Sequence, residues 1–171
     1  MIVLIEPSDK YFASYQEARA EYAANEITAY VFSDGTWDDV FQKFDHYRFE
    51  RNLRADRVGA DYYWLVDDER DYFIGEICIR HHLNDALSRY GGHVGYGIRY
   101  SAWNQGYGTK MLFLALEKAK ALGISRALIT CDDDNIASAK LAEKCGFSLE
   151  DKIRNVFEHA VITTRRYWKN L

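Results

Sequence analysis

The run Gln105-Gly106-Tyr107-Gly108-Thr109 has the residue types to hold an anion. Glycines let backbone amides approach a ligand closely. A helix opening here would add unpaired N–H groups at its positive end, an arrangement suited to a pyrophosphate. A glycine pair opening a helix is also simply a good turn, so the loop alone does not decide the chemistry. Two other phosphate patterns are excluded. A Walker loop needs Gly-Lys-Ser/Thr after four intervening residues, and the dinucleotide fingerprint needs a third glycine plus an acidic residue on the next strand. A second landmark follows: Asn135-Ile136-Ala137-Ser138, leading to Glu143-Lys144-Cys145-Gly146-Phe147.

Other groups narrow the range of functions. His81, His82 and Asn84 have no ligand spacing, so no metal is expected. The run Asp132-Asp133-Asp134 could draw in a cationic ligand; equally, Asp134 can cap the next helix and the other two can lie in a solvated turn. The 22 Lys and Arg against 26 Asp and Glu give a net charge of -4. With bases and acids interspersed, and Arg165-Arg166 too small a cluster for a polyanion, no nucleic-acid partner is expected. Cys78, Cys131 and Cys145 form an odd set with no close pair, which reads as reduced thiols of a cytoplasmic protein. Met1 to Pro7 is apolar for only a few residues and lacks a basic segment before it, so it reads as a first strand rather than a signal peptide or membrane span, and no membrane partner is expected.

The elements that must position these groups follow from periodicity. With one proline, no repeat and no linker, residues 1–171 read as one domain. After the first strand, Ser8 or Asp9 can cap a helix carrying Phe12, Tyr15, Ala18 and Tyr22 at helical spacing. A second helix after Thr36 carries Trp37, Val40, Phe41 and Phe44. The runs Tyr62 to Val66 and Tyr72 to Arg80 read as a hairpin. A polar loop leads through Gly91-Gly92 to a strand from His93 to Tyr100. Next come the glycine loop and a helix with Met111, Leu112, Leu114, Ala115, Leu116 and Ala119 inward, ended by Gly123. A strand from Arg126 to Cys131, a helix opened by Asp134-Asn135 and closed by Gly146-Phe147, and two antiparallel strands, roughly 148–156 and 160–168, complete the chain. The strand–helix–strand–helix run suits a parallel pair, giving a mixed α/β sheet with helices on both faces.

Strand, glycine loop, long helix, strand, Asn-x-x-Ser helix and Gly-Phe exit, in this order over roughly residues 62 to 150, resemble the GNAT superfamily of N-acetyltransferases. Within it, the segments Arg80 to Asn84, Gly91 to Arg99 and Thr130 to Ser138 resemble a bacterial group of acetyltransferases. The resemblance implies an acyl-CoA N-acyltransferase fold, a central mostly antiparallel sheet with one parallel pair. It also implies acetyl-CoA as co-substrate. The amides of Gln105, Gly106, Gly108 and Thr109 would hold the pyrophosphate, with Tyr107 packing around the cofactor. Ile98 and Tyr100 would flank the pantetheine, the main chain of Ile98 and Arg99 would polarise the thioester, and Asn135 and Ser138 would face the cofactor arm. Two departures stand out. Trp103 replaces the Arg or Gln usual three residues before the first glycine, and Ala142 stands where relatives carry the tyrosine that protonates the departing thiolate.

Acetyl transfer needs an uncharged amine, so a base is expected beside the strand that passes the thioester. His93, which titrates near neutrality, is one candidate, or else a structural histidine after the Gly-Gly turn. Glu76, on the neighbouring hairpin arm, is the other, or else it faces solvent. Trp37, Phe41, Phe44, Tyr47 and Tyr62 either wall the acceptor pocket or pack the core. The expected activity is direct acetyl transfer to a primary amine of a small molecule or peptide. The competing expectations are a catalytically silent acyl-CoA-binding module and a ligand-free interaction domain. An exposed C-terminal strand makes a homodimer an expectation too.

Overall fold

The computed structural model describes residues 1–171. Strands β1 (Ile2–Ile5), β2 (Ala60–Asp67), β3 (Tyr72–Arg80) and β4 (Val94–Ile98) form an antiparallel sheet in the order β1-β2-β3-β4. Strands β5 (Arg126–Asp132), β6 (Ser148–Phe157) and β7 (Ala160–Asn170) form a second, in the order β5-β7-β6. The hairpin read from sequence is β2–β3, two residues longer at the start of β2 and with a register shift at Leu65/Val66. Its acidic turn is tied by the Asp67 carboxylate, which accepts from the Arg70 Nε at 2.6 Å.

Helices α1 (Phe12–Ala24) and α2 (Trp37–Arg48) cover one face of the first sheet. Neither Ser8 nor Asp9 caps α1; a short 3-10 turn over Asp9–Tyr11 feeds into it. Helix α2 begins with a capping box in which Thr36 and Asp39 satisfy each other's backbone N–H groups. Between helices and sheet, Tyr15 stacks on Trp64 at 4.6 Å, with Phe32, Val40, Phe44 and Phe73 around them. The opposite face is covered by α4 (Tyr107–Ala121) and α5 (Ile136–Lys144). There Met111, Leu112 and Ala115 meet Leu65, Ile74 and Ile77 of one sheet and Ala127, Ile129 and Tyr167 of the other. At about 1.5–3 kcal/mol for each large apolar side chain buried, this shared layer is what fastens the two sheets together. No helix is long and apolar enough to cross a membrane.

Two features depart from the sequence reading. The polar loop before Gly91 contains a short helix, α3 (Asp85–Arg89), capped by the Asn84 side chain, which accepts from Leu87 N at 2.9 Å. The expected parallel pair is not a ladder. Beside β5 the backbone bonds only just before β4, where His93 N donates to Leu128 O at 2.8 Å, and Leu128 N donates back to His93 Nδ1 at 3.0 Å. Gly92 turns the chain into this seam with φ +63, and a Cβ there would stand 2.5 Å from Leu128 O, so only glycine fits. Past the seam β4 stays bonded to β3 and β5 to β7, so the strands part.

Candidate active site

A cavity of about 310 Å³ opens where β4 and β5 part. Its wall includes Tyr96, Gly97 and Ile98 of β4, Trp103 to Gly108 apart from Gln105, Thr109, and Asn135, Ala137, Ser138 and Leu141 from α5 and its start. Tyr22, Ile27, Ala29 and Tyr30 close the other side.

The α4 end of the cavity is lined by unbonded backbone amides at a helix N-terminus. Gly106 is the N-cap residue with φ +81, and a Cβ on it would meet nothing within 4 Å. The N–H groups of Gln105, Gly106, Tyr107, Gly108 and Thr109 donate to no protein acceptor, the first helical bond being Lys110 N to Gly106 O at 3.2 Å. Five free amides at a helix N-terminus favour a phosphate-bearing ligand. At Gly108 a Cβ would fall 2.5 Å from Leu141 Cδ1, the tip of a side chain that would have to swing aside. The Asn135 side chain caps α5 by accepting from Ser138 N at 3.1 Å, in the role expected for Asp134, while also lining the cavity. Asp133 is bound to Arg165 at 2.6 Å and Lys152 at 2.7 Å.

Other expected contacts lie elsewhere. The Arg99 side chain is buried away from the cavity, donating to Glu21, to Ser14 Oγ at 3.0 Å and to Phe73 O at 3.1 Å. Arg99 N donates to Ile74 O at 2.8 Å, and Ile98 O accepts from Tyr22 Oη and Trp103 Nε1, each at 2.7 Å. These main-chain groups are therefore occupied and do not polarise a ligand. Strand alternation instead turns Ile98 N–H away from β3, toward the gap. Tyr100 is exposed and packs edge-on against Trp103, and the Gln105 side chain donates to Ser101 O at 3.0 Å.

The two base candidates have opposite surroundings. His93 is buried in the β4–β5 seam and absent from the cavity wall. Burial, with the charges of Arg80 and His82, holds its pKa down to about 4. Its Nδ1 lone pair is taken by Leu128 N–H. Glu76 does not face solvent; it is 1% exposed, on the face of β3 opposite α4. It accepts from Trp64 Nε1 at 2.9 Å and Tyr30 Oη at 2.9 Å. Burial pushes its pKa up to about 7, against the lowering effect of those hydrogen bonds and the charge of Lys43. Tyr30 lies between this carboxylate and the cavity. Its ring rests on Gly97, where a Cβ would come within 2.6 Å. Trp37, Phe44 and Tyr62 belong to the aromatic layer under α1 and α2 and do not wall the cavity. No three His, Cys, Asp or Glu side chains converge in a way that could hold a metal ion.

The model for the acetyltransferase (GNAT) domain matches residues 3–148 of this sequence. The chain belongs to the GNAT acetyltransferase family. No curated protein matches the sequence significantly. Among solved structures this GNAT domain is similar to the Microcin C7 self immunity acetyltransferase MccE in complex with acetyl-CoA and AMP, with TM-score 0.71 and 19% identity over 99% of this chain and 92% of that one. It is similar to ribosomal-protein-S5-alanine acetyltransferase from Vibrio fischeri, with TM-score 0.68 and 18% identity over 99% and 91%. It is also similar to RimL, a ribosomal L7/L12 alpha-N-protein acetyltransferase in complex with coenzyme A, with TM-score 0.67 and 14% identity over 99% and 94%. At such identities the likeness is one of fold.

Proposed function

We propose that this GNAT domain transfers an acetyl group from acetyl-CoA directly to a primary amine of a small molecule or peptide. The observation that carries the reading is one cavity joining the free amides before α4 to a tyrosine backed by a carboxylate poised near neutrality. In this reading the amides of Gln105 to Thr109 hold the pyrophosphate, and Ile98 N–H, Asn135 and Ser138 border the arm that carries the thioester. The acceptor enters beside Tyr22, Ile27 and Ala29.

Glu76 is the base, acting through Tyr30. As the amine attacks, Tyr30 Oη takes a proton from nitrogen and passes its own to Glu76 Oε1, the hydrogen bond between them already being in place. His93 is assigned to holding the seam, its accepting nitrogen being occupied. Rate then comes from alignment of amine and thioester plus this proton transfer.

Ala142 favours a second reading, a silent acyl-CoA-binding module, because it is fully buried and offers no proton to a leaving thiolate. Release of free thiol from acetyl-CoA across a panel of amines, amino acids and peptides separates the two. Acceptor-dependent release supports the enzyme; tight coenzyme A binding with no turnover on any acceptor supports the module. Gly106→Asp tests the cradle. The open space around that position and the tolerance of Asp for positive φ leave the fold intact, while a carboxylate before the amides should weaken coenzyme A binding about tenfold or more in titration calorimetry. Unchanged affinity would refute the placement.

A further inference from the structure

Helix α5 and its C-cap residue present Ser138, Ala142 and Cys145 on one face, at i, i+4 and i+7. Ser138 stands on the cavity wall, and its hydroxyl makes no hydrogen bond within the protein. Across from this face, Tyr96 projects from β4 on the side opposite Tyr30, because alternation sends residues 96 and 98 to one face of the strand and 95 and 97 to the other. The Tyr96 hydroxyl lies near Ser138, Cys131 and Cys145, and Ala142, between Ser138 and Cys145 on the same helix face, offers only a methyl group. It is the one buried side-chain polar atom in the molecule without a hydrogen-bond partner. The Ser138 hydroxyl approaches it without closing a bond of acceptable geometry.

A buried hydroxyl left unpaired is costly, and such orphans in a well-packed protein call for a reason. The rest of the polar interior here is satisfied, down to the Glu76 carboxylate and the Arg99 guanidinium. A rotation of the Ser138 side chain would supply Tyr96 with an acceptor and leave the serine proton free to point into the cavity.

We propose that Tyr96 and Ser138 form a two-hydroxyl relay that stabilises the sulfur leaving the thioester, doing from β4 and the first turn of α5 what a tyrosine at position 142 cannot do here. The proposal rests on the acetyl-transfer reading of this cavity. Ser138 is the catalytic residue, donating its O–H to sulfur as the C–S bond breaks and the electron pair settles there. Tyr96 is a positioning residue, donating to Ser138 Oγ and polarising it. Burial raises the Tyr96 pKa to about 12, so the phenol stays protonated and serves as a hydrogen-bond donor. The proton that completes the free thiol comes from water, and the proton lost by the amine goes to Glu76.

The test needs no acceptor. Coenzyme A itself is bound to the protein and its thiol titrated by ultraviolet thiolate absorbance, in wild type, Tyr96→Phe and Ser138→Ala. Hydrogen bonding to the charged form lowers a pKa, so the bound thiol should titrate on the order of one unit below free coenzyme A in wild type. Ser138→Ala should return it to the free value. Tyr96→Phe should return it part of the way, with coenzyme A affinity within about threefold of wild type, since the substitution removes only an unpaired hydroxyl. A bound thiol that titrates like the free one in wild type overturns the relay while leaving the cradle standing. An unaltered pKa in Tyr96→Phe removes Tyr96 from it. A full loss in Tyr96→Phe with none in Ser138→Ala overturns action through the serine. Failure of wild type to bind coenzyme A sinks the acetyl-transfer reading beneath the proposal.

Discussion

Glu76→Gln is expected to slow turnover about a hundred- to a thousand-fold with little change in KM for acetyl-CoA, the loss characteristic of a removed general base. The glycine loop is untouched, because Glu76 sits on the face of β3 opposite α4 and makes none of the loop's contacts. In wild type kcat should rise with pH through about 7 and level off, since only the ionised carboxylate can draw the proton through Tyr30. In the variant that limb should vanish. A variant with a wild-type pH profile would dismiss Glu76 as base. Tyr30→Phe should show most of the same loss, because without the phenol no group on the cavity wall connects to the carboxylate.

The same carboxyl leaves a thermodynamic mark. Its folded pKa lies above the unfolded value of 4.5, so between the two the folded state binds more protons and stability falls as pH rises. The stability that this proton uptake contributes is roughly 3 kcal/mol, fully present below pH 4.5 and lost by about pH 7. The difference in melting temperature between wild type and Glu76→Gln should therefore change steadily across the window and be flat above it. A constant difference would mean the carboxyl titrates normally.

Arg99→Leu is expected to be the most damaging single change to stability, about 3–5 kcal/mol, or roughly 10 °C in melting temperature. The guanidinium is buried and bonds Glu21 on α1, Ser14 on α1 and Phe73 O on β3, and it stacks over Tyr72 at 4.1 Å. Leucine would leave Glu21 with half its partners. Glu21 also accepts from Ser101 N at 2.9 Å, so the loss would loosen the turn leading into the glycine loop. Burial raises the Glu21 pKa, but Arg99 and Ser101 outweigh it and hold the group low. Its contribution is thus present above the ordinary carboxylate range and lost as pH falls through the depressed pKa. Thermal denaturation checks the prediction; a shift of only a degree or two would show the network to be replaceable by apolar packing.

The glycine loop and the helix it opens were legible in the sequence because each is local: Gly106, Gly108 and the apolar stripe of α4 lie within fifteen or so residues. The hairpin was legible for the same reason. The acceptor side was not. Tyr22 and Tyr30 reach the cavity from a segment some seventy residues earlier, and nothing around them marks a tyrosine that will rest on Gly97. The main-chain role expected of Arg99 was drawn from its place at the end of β4, and nothing local in the sequence shows that its N–H is spent on Ile74 O and its carbonyl on Ala102 N. The parallel pair was expected from strand–helix–strand order, which fixes direction but not whether twist lets neighbouring strands keep bonding. Asn135 was read as facing the cofactor arm; its side chain caps α5 at the edge of the cavity, a capping role that spacing alone does not separate from a ligand contact.

The cavity wall contains no lysine, arginine, aspartate or glutamate. In the proposed reading its occupant is held by peptide amides, aromatic rings and fit rather than by paired ions. Attraction between full charges fades as salt accumulates, with a screening length of about 8 Å at physiological ionic strength, but a short amide-to-phosphate hydrogen bond inside a cleft is largely spared. In the proposed reading, coenzyme A should therefore bind with nearly the same affinity at low and at high ionic strength, a tolerance that a ring of arginines around the same phosphates would not provide.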